Sequence, residues 1–183
     1  MSELTGKKIL IISTNYGTET DEIGKPLEYL KEQGAEVTVA APEVSPIQTL
    51  KGDREPGPTV DPDLALASAK AEDYDAVVIP GGTINADGLR VDQDAQRIVA
   101  GVAGAGKVVA AICHGPWLLI NAGVAKGKTL TSYPTLQADL TNAGATWVDE
   151  EAKVCPANGY TLITSRTPND LPAFNRQILA ALS

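Results

Sequence analysis

The chain has 183 residues, 43% hydrophobic and 21% charged, the balance of one globular domain of ordinary size, and a single domain over residues 1–183 is expected. Its formal charge of −8, from 15 basic and 23 acidic residues, excludes a basic face that tracks phosphates, so neither nucleic acid nor an anionic membrane is expected as a partner. Aromatics at 4%, one histidine and two cysteines leave few rings to sandwich a flavin, no His-rich metal cage and no disulfide framework.

The start, Met1-Ser2-Glu3-Leu4, lacks the long apolar region of a signal peptide. No apolar run approaches the ~18 residues of a membrane span. A cytoplasmic protein is expected. Lys8–Ser13, with Ile9 to Ile12 inside it, reads as a strand buried on both faces. A polar loop leads to a helical run with Ile23, Leu27 and Leu30 on one face, stopped at Gly34. Pro26 sits awkwardly there, so the regular helix is expected to start near Gly24 or to bend. Val37–Ala40 is the second strand. Pro42 to Pro62 shows no clear period and is expected to run over the surface, with room for short strands that the pattern does not place. Asp61-Pro62 reads as a helix cap with a first-turn proline.

Ala76–Ile79 is the third strand, stopped by Pro80-Gly81-Gly82. Ala95, Ile98, Val99 and Val102 follow i, i+3, i+4, i+7, an amphipathic helix ended by Gly104 and Gly106. Val108–Ile112 is the fourth strand, followed by helices over Pro116–Ala122 and Thr135–Ala143. Short strands are expected at Trp147-Val148, Ala152–Cys155 and Leu162–Thr164, the last two joined by an Asn158-Gly159 turn. Asp170-Leu171-Pro172 opens a final helix with Leu171, Phe174 and Ile178 inward. The alternation specifies an α/β fold, a mostly parallel sheet with helices on both faces. Ligands in such folds bind beyond the carboxyl ends of the strands, at the loops after Ser13, Ile79 and Ile112.

The loop after the fourth strand reads Ala111-Ile112-Cys113-His114-Gly115-Pro116. A strand, a nucleophile, a glycine two residues on and a helix form a nucleophile elbow. The helix N-terminus is expected to favour the thiolate of Cys113. The N–H groups of His114 and Gly115 are expected to serve as oxyanion donors. Neighbours on a tight turn need not face each other, so direct pairing of Cys113 with His114 stays open. Cys155, in an edge-like strand with no partner motif, is expected to be inert.

The chain resembles the PfpI-type intracellular proteases of the ThiJ/PfpI superfamily over nearly its whole length. The resemblance rests on the elbow, on Val77 to Gly82, on Leu130 to Pro134, on Asn142 to Asp149 and on Thr164 to Phe174. It implies a flavodoxin-like three-layer sandwich, a homodimer or higher assembly, and a thiol site without cofactor or metal. It further implies a stress-protective role, with peptides, 2-oxoaldehydes or their adducts as substrates. Glu19, Asp21 and Glu22 are indistinguishable by spacing, and the resemblance selects Glu19 as the carboxyl beside the thiol. A carboxyl in such a partly dry place should have a raised pKa and can donate to sulfur or move protons. The resemblance also points to an acid after the Pro-Gly-Gly loop, reached from a neighbouring subunit to orient the histidine. Asp87 is the residue offered, in a segment one residue longer than the family's, where a turn role is equally open. Gly81 and Gly82 are read as a second source of oxyanion N–H groups, and Tyr133 as a tyrosine near the thiol or a packing residue. Arg166 is expected to buttress the C-terminal turn.

Three readings of function compete. The first is a thiolate enzyme acting on carbonyl or peptide electrophiles. The second is a redox sensor or holdase that oxidises Cys113 without turnover. The third is an electron carrier whose Ser13–Thr20 loop would cradle a phosphate.

Overall fold

The computed structural model describes residues 3–183, so the expectation placed on Met1 and Ser2 lies outside the described residues. In chain order the elements are β1 (Lys8–Ile12), β2 (Tyr16–Glu19), α1 (Thr20–Glu32), β3 (Glu36–Ala41), β4 (Ile47–Lys51), β5 (Glu55–Val60) and β6 (Leu64–Ala65). There follow β7 (Ala76–Ile79), α2 (Thr83–Leu89), α3 (Gln93–Gly104), β8 (Val108–Ile112), α4 (Trp117–Asn121), β9 (Thr129–Leu130) and α5 (Gln137–Asn142). The chain closes with β10 (Thr146–Trp147), β11 (Lys153–Cys155), β12 (Thr161–Ser165) and α6 (Leu171–Leu182).

Seven strands form the central sheet in the order β11-β12-β8-β7-β1-β3-β6. Every pairing is parallel except β11 with β12. Strand residues alternate between two cores. Leu10, Ile12, Val77, Ile79, Val109 and Ala111 face the α3–α4–α5 side. Ile9, Ile11, Val78, Ala110 and Ile112 face α1 and α6. Each fully buried Ile or Leu contributes roughly 1.5–3 kcal/mol of transfer free energy. Apolar β1, β7 and β8 are therefore driven to the middle of the three-layer sandwich. From β1 the chain steps one way to β3 and β6, and later the other way through β7, β8 and β12. The direction reverses between β1 and β7, the switch point where α/β sheets open a crevice.

Two expectations need correction, the start of the first helix and the Asp61-Pro62 cap. The helix of the first crossover starts at Thr20, four residues before Gly24, and runs through Pro26. Its end is as expected: Gly34 takes φ +91°, its N–H donates to Lys31 O, and Ala35 N–H donates to Leu30 O, a Schellman cap. The stretch Pro42–Pro62 runs mostly exposed, as expected, and its short strands can now be placed. It holds β4 and β5, which pair antiparallel and join β2 in a separate three-stranded sheet. Asp61-Pro62 caps no helix. The neighbouring Asp63 instead accepts the Val39 N–H at 2.8 Å and leads into edge strand β6.

The β4–β5 turn matters for the site. Gly52 and Asp53 both take φ +60°, and Arg54 N–H donates to Lys51 O. Two successive residues with positive φ make a hairpin turn that matches strand twist. The Glu19 carboxylate accepts the Gly52 N–H at 3.0 Å and holds the turn against the end of β2.

Candidate active site

Cys113 follows the last residue of β8, at the carboxyl edge of the sheet. Its φ is +63°, a left-handed conformation that costs a non-glycine residue about 1–3 kcal/mol. Neighbouring segments fix it there. Its N–H donates to Ser165 O at 3.0 Å, and its carbonyl accepts from Tyr133 N at 2.8 Å. Gly115 must be glycine in this turn, because a Cβ there would stand 2.6 Å from Ile79 O. The elbow expected from the sequence is present.

The Cys113 sulfur meets His114 Nδ1 at 3.2 Å, so the two neighbours do face each other. The imidazole stacks on Tyr133 at 4.6 Å between centroids and meets Trp117 edge-on at 5.3 Å. Tyr133 thus packs against the catalytic candidate itself. Burial holds the His114 pKa below its ordinary value, with Asp53 pulling weakly the other way. The imidazole is therefore neutral at physiological pH and has a lone pair to offer.

The carboxyl beside the thiol is Glu22, not Glu19. Glu22 is fully buried and its Oε1 accepts the Gly81 N–H at 3.0 Å. A Cβ on Gly81 would stand 2.5 Å from Glu22 Oε1 and 2.8 Å from Cys113 Cβ. Glycine therefore lets the two functional side chains close over it. Burial, reinforced by the charge of Glu19, pushes the Glu22 pKa well up, so this group is a carboxylic acid in the fold. Its Oε2 is buried without a partner. A bare carboxylate oxygen there would be costly, whereas an O–H directed at sulfur would not. Glu19 stands at the mouth, where burial also raises its pKa, though less strongly. Its displacement from the sulfur follows from the early helix start. Thr20 begins α1, so Glu22 falls on the inward stripe with Pro26 and Leu30, all three buried.

The thiolate expectation also changes. Burial raises the Cys113 pKa, an ionised Glu22 would raise it further, and the N–H groups of His114 and Gly82 oppose both. α4 has five residues and starts four positions past the cysteine, too short and too far to supply the expected dipole. Burial thus works against ionisation of the sulfur at rest, and the base beside it is His114.

Two expected oxyanion donors are occupied. The Gly115 N–H donates to Ile112 O at 2.9 Å, and that of Gly81 to Glu22. The N–H groups of His114 and Gly82 remain directed at the sulfur. Gly82 takes φ +87°, and a Cβ would collide with Gly17 O at 2.3 Å. Asn85 locks this loop. Its Oδ1 accepts from Thr14 N at 2.8 Å and its Nδ2 donates to Gly81 O at 3.0 Å. The hydroxyls of Ser13, Thr14 and Thr18 are bound to one another, to backbone carbonyls or to Asn85. The Ser13–Thr20 segment is thus a closed brace, and the phosphate-cradle reading does not hold.

Asp87 is exposed on α2 and makes no hydrogen bond or ion pair with His114 of its own chain among the described residues. Residues missed from the sequence are Asp53 and Thr83. Asp53 accepts from Thr83 N at 2.9 Å and Thr83 Oγ1 at 2.7 Å. Thr83 Oγ1 in turn lies 3.4 Å from His114 Nε2. Their signal was faint, a Lys51-Gly52-Asp53-Arg54 turn inside a stretch without period. Arg166 binds Asp170 and Asp149 as a brace of the C-terminal turn, both contacts at 2.9 Å.

The cleft over Cys113 has a volume of about 340 Å³ and is lined by Glu19, Asp53, His114 and Tyr133, among others. A groove of about 580 Å³ between α1 and α6 is larger, but it holds no nucleophile. Among the described residues no helix is long and apolar enough to cross a membrane.

A parallel α/β sandwich with a strained cysteine at the elbow, an imidazole on its sulfur and a buried acid above it defines a cysteine enzyme of the flavodoxin-like class. Comparison with known proteins names the family. Residues 7–181 match the DJ-1/PfpI family. The chain is 41% identical over 177 residues to general stress protein 18 of Bacillus subtilis, covering 97% of this chain and 98% of that one. It is 40% identical over 175 residues to a deglycase of Thermococcus kodakarensis, covering 96% and 99%. The crystal structure of Drosophila melanogaster DJ-1beta superposes with a TM-score of 0.83 at 31% identity, covering 97% and 91%. The chain belongs to the DJ-1/PfpI family, and with it to the stress-related cysteine enzymes.

Proposed function

We propose that the protein is a cofactor-independent enzyme that removes 2-oxoaldehydes or their adducts, by covalent catalysis at Cys113. The thiol gives its proton to His114 Nδ1 as sulfur adds to the carbonyl carbon. The C–S bond forms while the carbonyl π pair moves onto oxygen, and the oxyanion takes the Glu22 proton. The N–H groups of His114 and Gly82, directed at the sulfur, are the donors proposed to turn to the oxygen of the adduct. Proton transfer between the two substrate carbons, by the same acid and base, converts the hemithioacetal into a thioester that water cleaves. Glu19 acts at the mouth rather than on sulfur. The observation that carries this reading is the buried Glu22 carboxyl and the His114 imidazole converging on one sulfur. A cleft of about 340 Å³ suits a small carbonyl compound better than a peptide chain.

The relatives' names, deglycase and general stress protein, support the reading. Peptide hydrolysis remains the runner-up reaction. A second copy of the chain is proposed to cover the face carrying exposed Tyr16 and Ile84, beside Asp87, which would reach the neighbour's site. Two free thiols suit a reducing compartment, and the cytoplasm is proposed.

The test is lactate formation from methylglyoxal and from methylglyoxal-treated peptides. Wild type is expected to turn over and Cys113→Ala is not. No turnover on carbonyls or peptides, with Cys113 oxidised stoichiometrically by peroxide, would replace this reading with the redox sensor. The buried Glu22 acid favours that alternative, because it could donate to an oxidised sulfur.

A further inference from the structure

His114 can serve as the base only if its bare nitrogen faces the sulfur, and this inference rests on the proposed role of that residue. We propose that Asp53 and Thr83 of the same chain set the tautomer of His114, keeping the proton on Nε2 and the Nδ1 lone pair on the Cys113 thiol.

As a carboxylate, Asp53 has only lone pairs to offer. Both its oxygens are committed to Thr83, one to the N–H at 2.9 Å and one to the hydroxyl at 2.7 Å. The Thr83 hydrogen therefore points to Asp53, and Oγ1 turns a lone pair to His114 Nε2, 3.4 Å away. That contact is long, but its polarity is one-way: it suits Nε2–H and opposes a bare Nε2. With Nε2 protonated, the neutral ring has its lone pair on Nδ1, 3.2 Å from sulfur. Tyr133 and Trp117 fix the ring plane, so the position of the proton is the freedom left to control.

The relay is built into the fold. Asp53 sits in the β4–β5 turn at φ +60°, and Glu19 clamps that turn through the Gly52 N–H. Thr83 is the first residue of α2, directly after the Pro-Gly-Gly loop. Asp53 and Thr83 are positioning residues, since they act through His114. Within one chain, among the described residues, the titratable and charged groups around the ring are Cys113, Glu22 of α1, Glu19 of β2, Asp53 and Tyr133, with Arg90 over the Trp117 ring at 5.1 Å.

The single histidine makes the test direct. Nitrogen NMR of the labelled full-length protein, above the titration range of the ring, reports the tautomer of His114 alone. Wild type is expected to show the Nε2–H form. Asp53→Asn keeps a side chain that tolerates left-handed backbone, but its amide N–H donates to the Thr83 hydroxyl. The hydroxyl then donates to Nε2, and the Nδ1–H form should dominate. Thr83→Val should mix the two forms, and Thr83→Ser should restore the Nε2–H form. On methylglyoxal, Asp53→Asn should lower kcat about 10- to 100-fold with little change in KM, the scale of a lost general base. An Nδ1–H form in wild type, or a tautomer unmoved by both Asp53→Asn and Thr83→Val, would overturn the proposal. The NMR result stands without turnover, so a protein with the expected tautomer and no carbonyl activity would overturn the proposed function and leave the relay intact.

Discussion

The two cysteines of this chain are equally buried, Cys113 at 7% and Cys155 at 6% exposure, yet their surroundings are opposites. Cys113 has its pKa raised by burial and by Glu22. At Cys155 burial also raises the pKa, but the N–H groups of Thr129 and Ala157 and the Lys128 ammonium outweigh it, and the thiol is lowered. The lowered thiol nonetheless lies outside the cleft over Cys113 and has no imidazole or carboxyl hydrogen-bonded to it among the described residues. Lys128 instead ties the β11–β12 turn, donating to the carbonyls of Cys155 at 3.1 Å and Tyr160 at 2.6 Å, and to Ala157 O. Ease of ionisation does not mark the nucleophile here. What marks it is a strained elbow, an imidazole at 3.2 Å and an acid that can return a proton.

Four variants would break or sharpen this contrast. The largest difference is expected between Cys113→Ala and Cys155→Ala. The first should lower turnover at least ~100-fold, the scale of a lost catalytic group. The second should leave turnover unchanged and cost about 1 kcal/mol in urea denaturation. Equal losses of activity from both would erase the distinction.

Glu22→Gln comes next, with turnover down about 10- to 100-fold through loss of the proton donor. It also has a stability signature. In the fold Glu22 keeps its proton, while the unfolded carboxyl ionises in the ordinary range. The unfolded state therefore loses its proton first, and stability falls as pH rises from that range through the raised folded pKa. Glutamine does not ionise, so the Tm of the variant should match wild type in acid and exceed it at neutral pH. A constant Tm difference across pH would mean that Glu22 is not held protonated.

The smallest effect on chemistry is expected from Lys128→Met. Leaving its buried carbonyls unsatisfied should cost about 2–4 kcal/mol by denaturant titration, with turnover by the remaining folded protein unchanged. A fall in turnover would tie the second cysteine region to the active site.

Much of this was legible in the chain. The runs Ile9 to Ile12, Ala76 to Ile79 and Val108 to Ile112 read as buried strands, because both faces of a central parallel strand must be apolar. Cys113-His114-Gly115 read as an elbow because only a tight turn after a strand needs that order. The acid was misplaced for a local reason. Glu19 and Glu22 differ by less than one helical turn, and the choice depends on where α1 begins. Pro26 seemed to delay that start, yet the helix tolerates it. The β4–β5 hairpin was hidden because its strands carry Pro56, Gly57 and Pro58 and expose most of β5, which erases the two-residue period.

The order of residues alone determined the sheet, its central strands and the identity of the nucleophile, since burial periodicity and turn chemistry are local properties. Tertiary structure decided which carboxyl meets the sulfur, which N–H groups face it, and how Asp53 reaches His114 through Thr83. Those outcomes depend on segments far apart in the chain, 59 residues between Glu22 and Gly81 and 30 between Asp53 and Thr83. Hydrogen bonds across such separations exist only after the strands have paired.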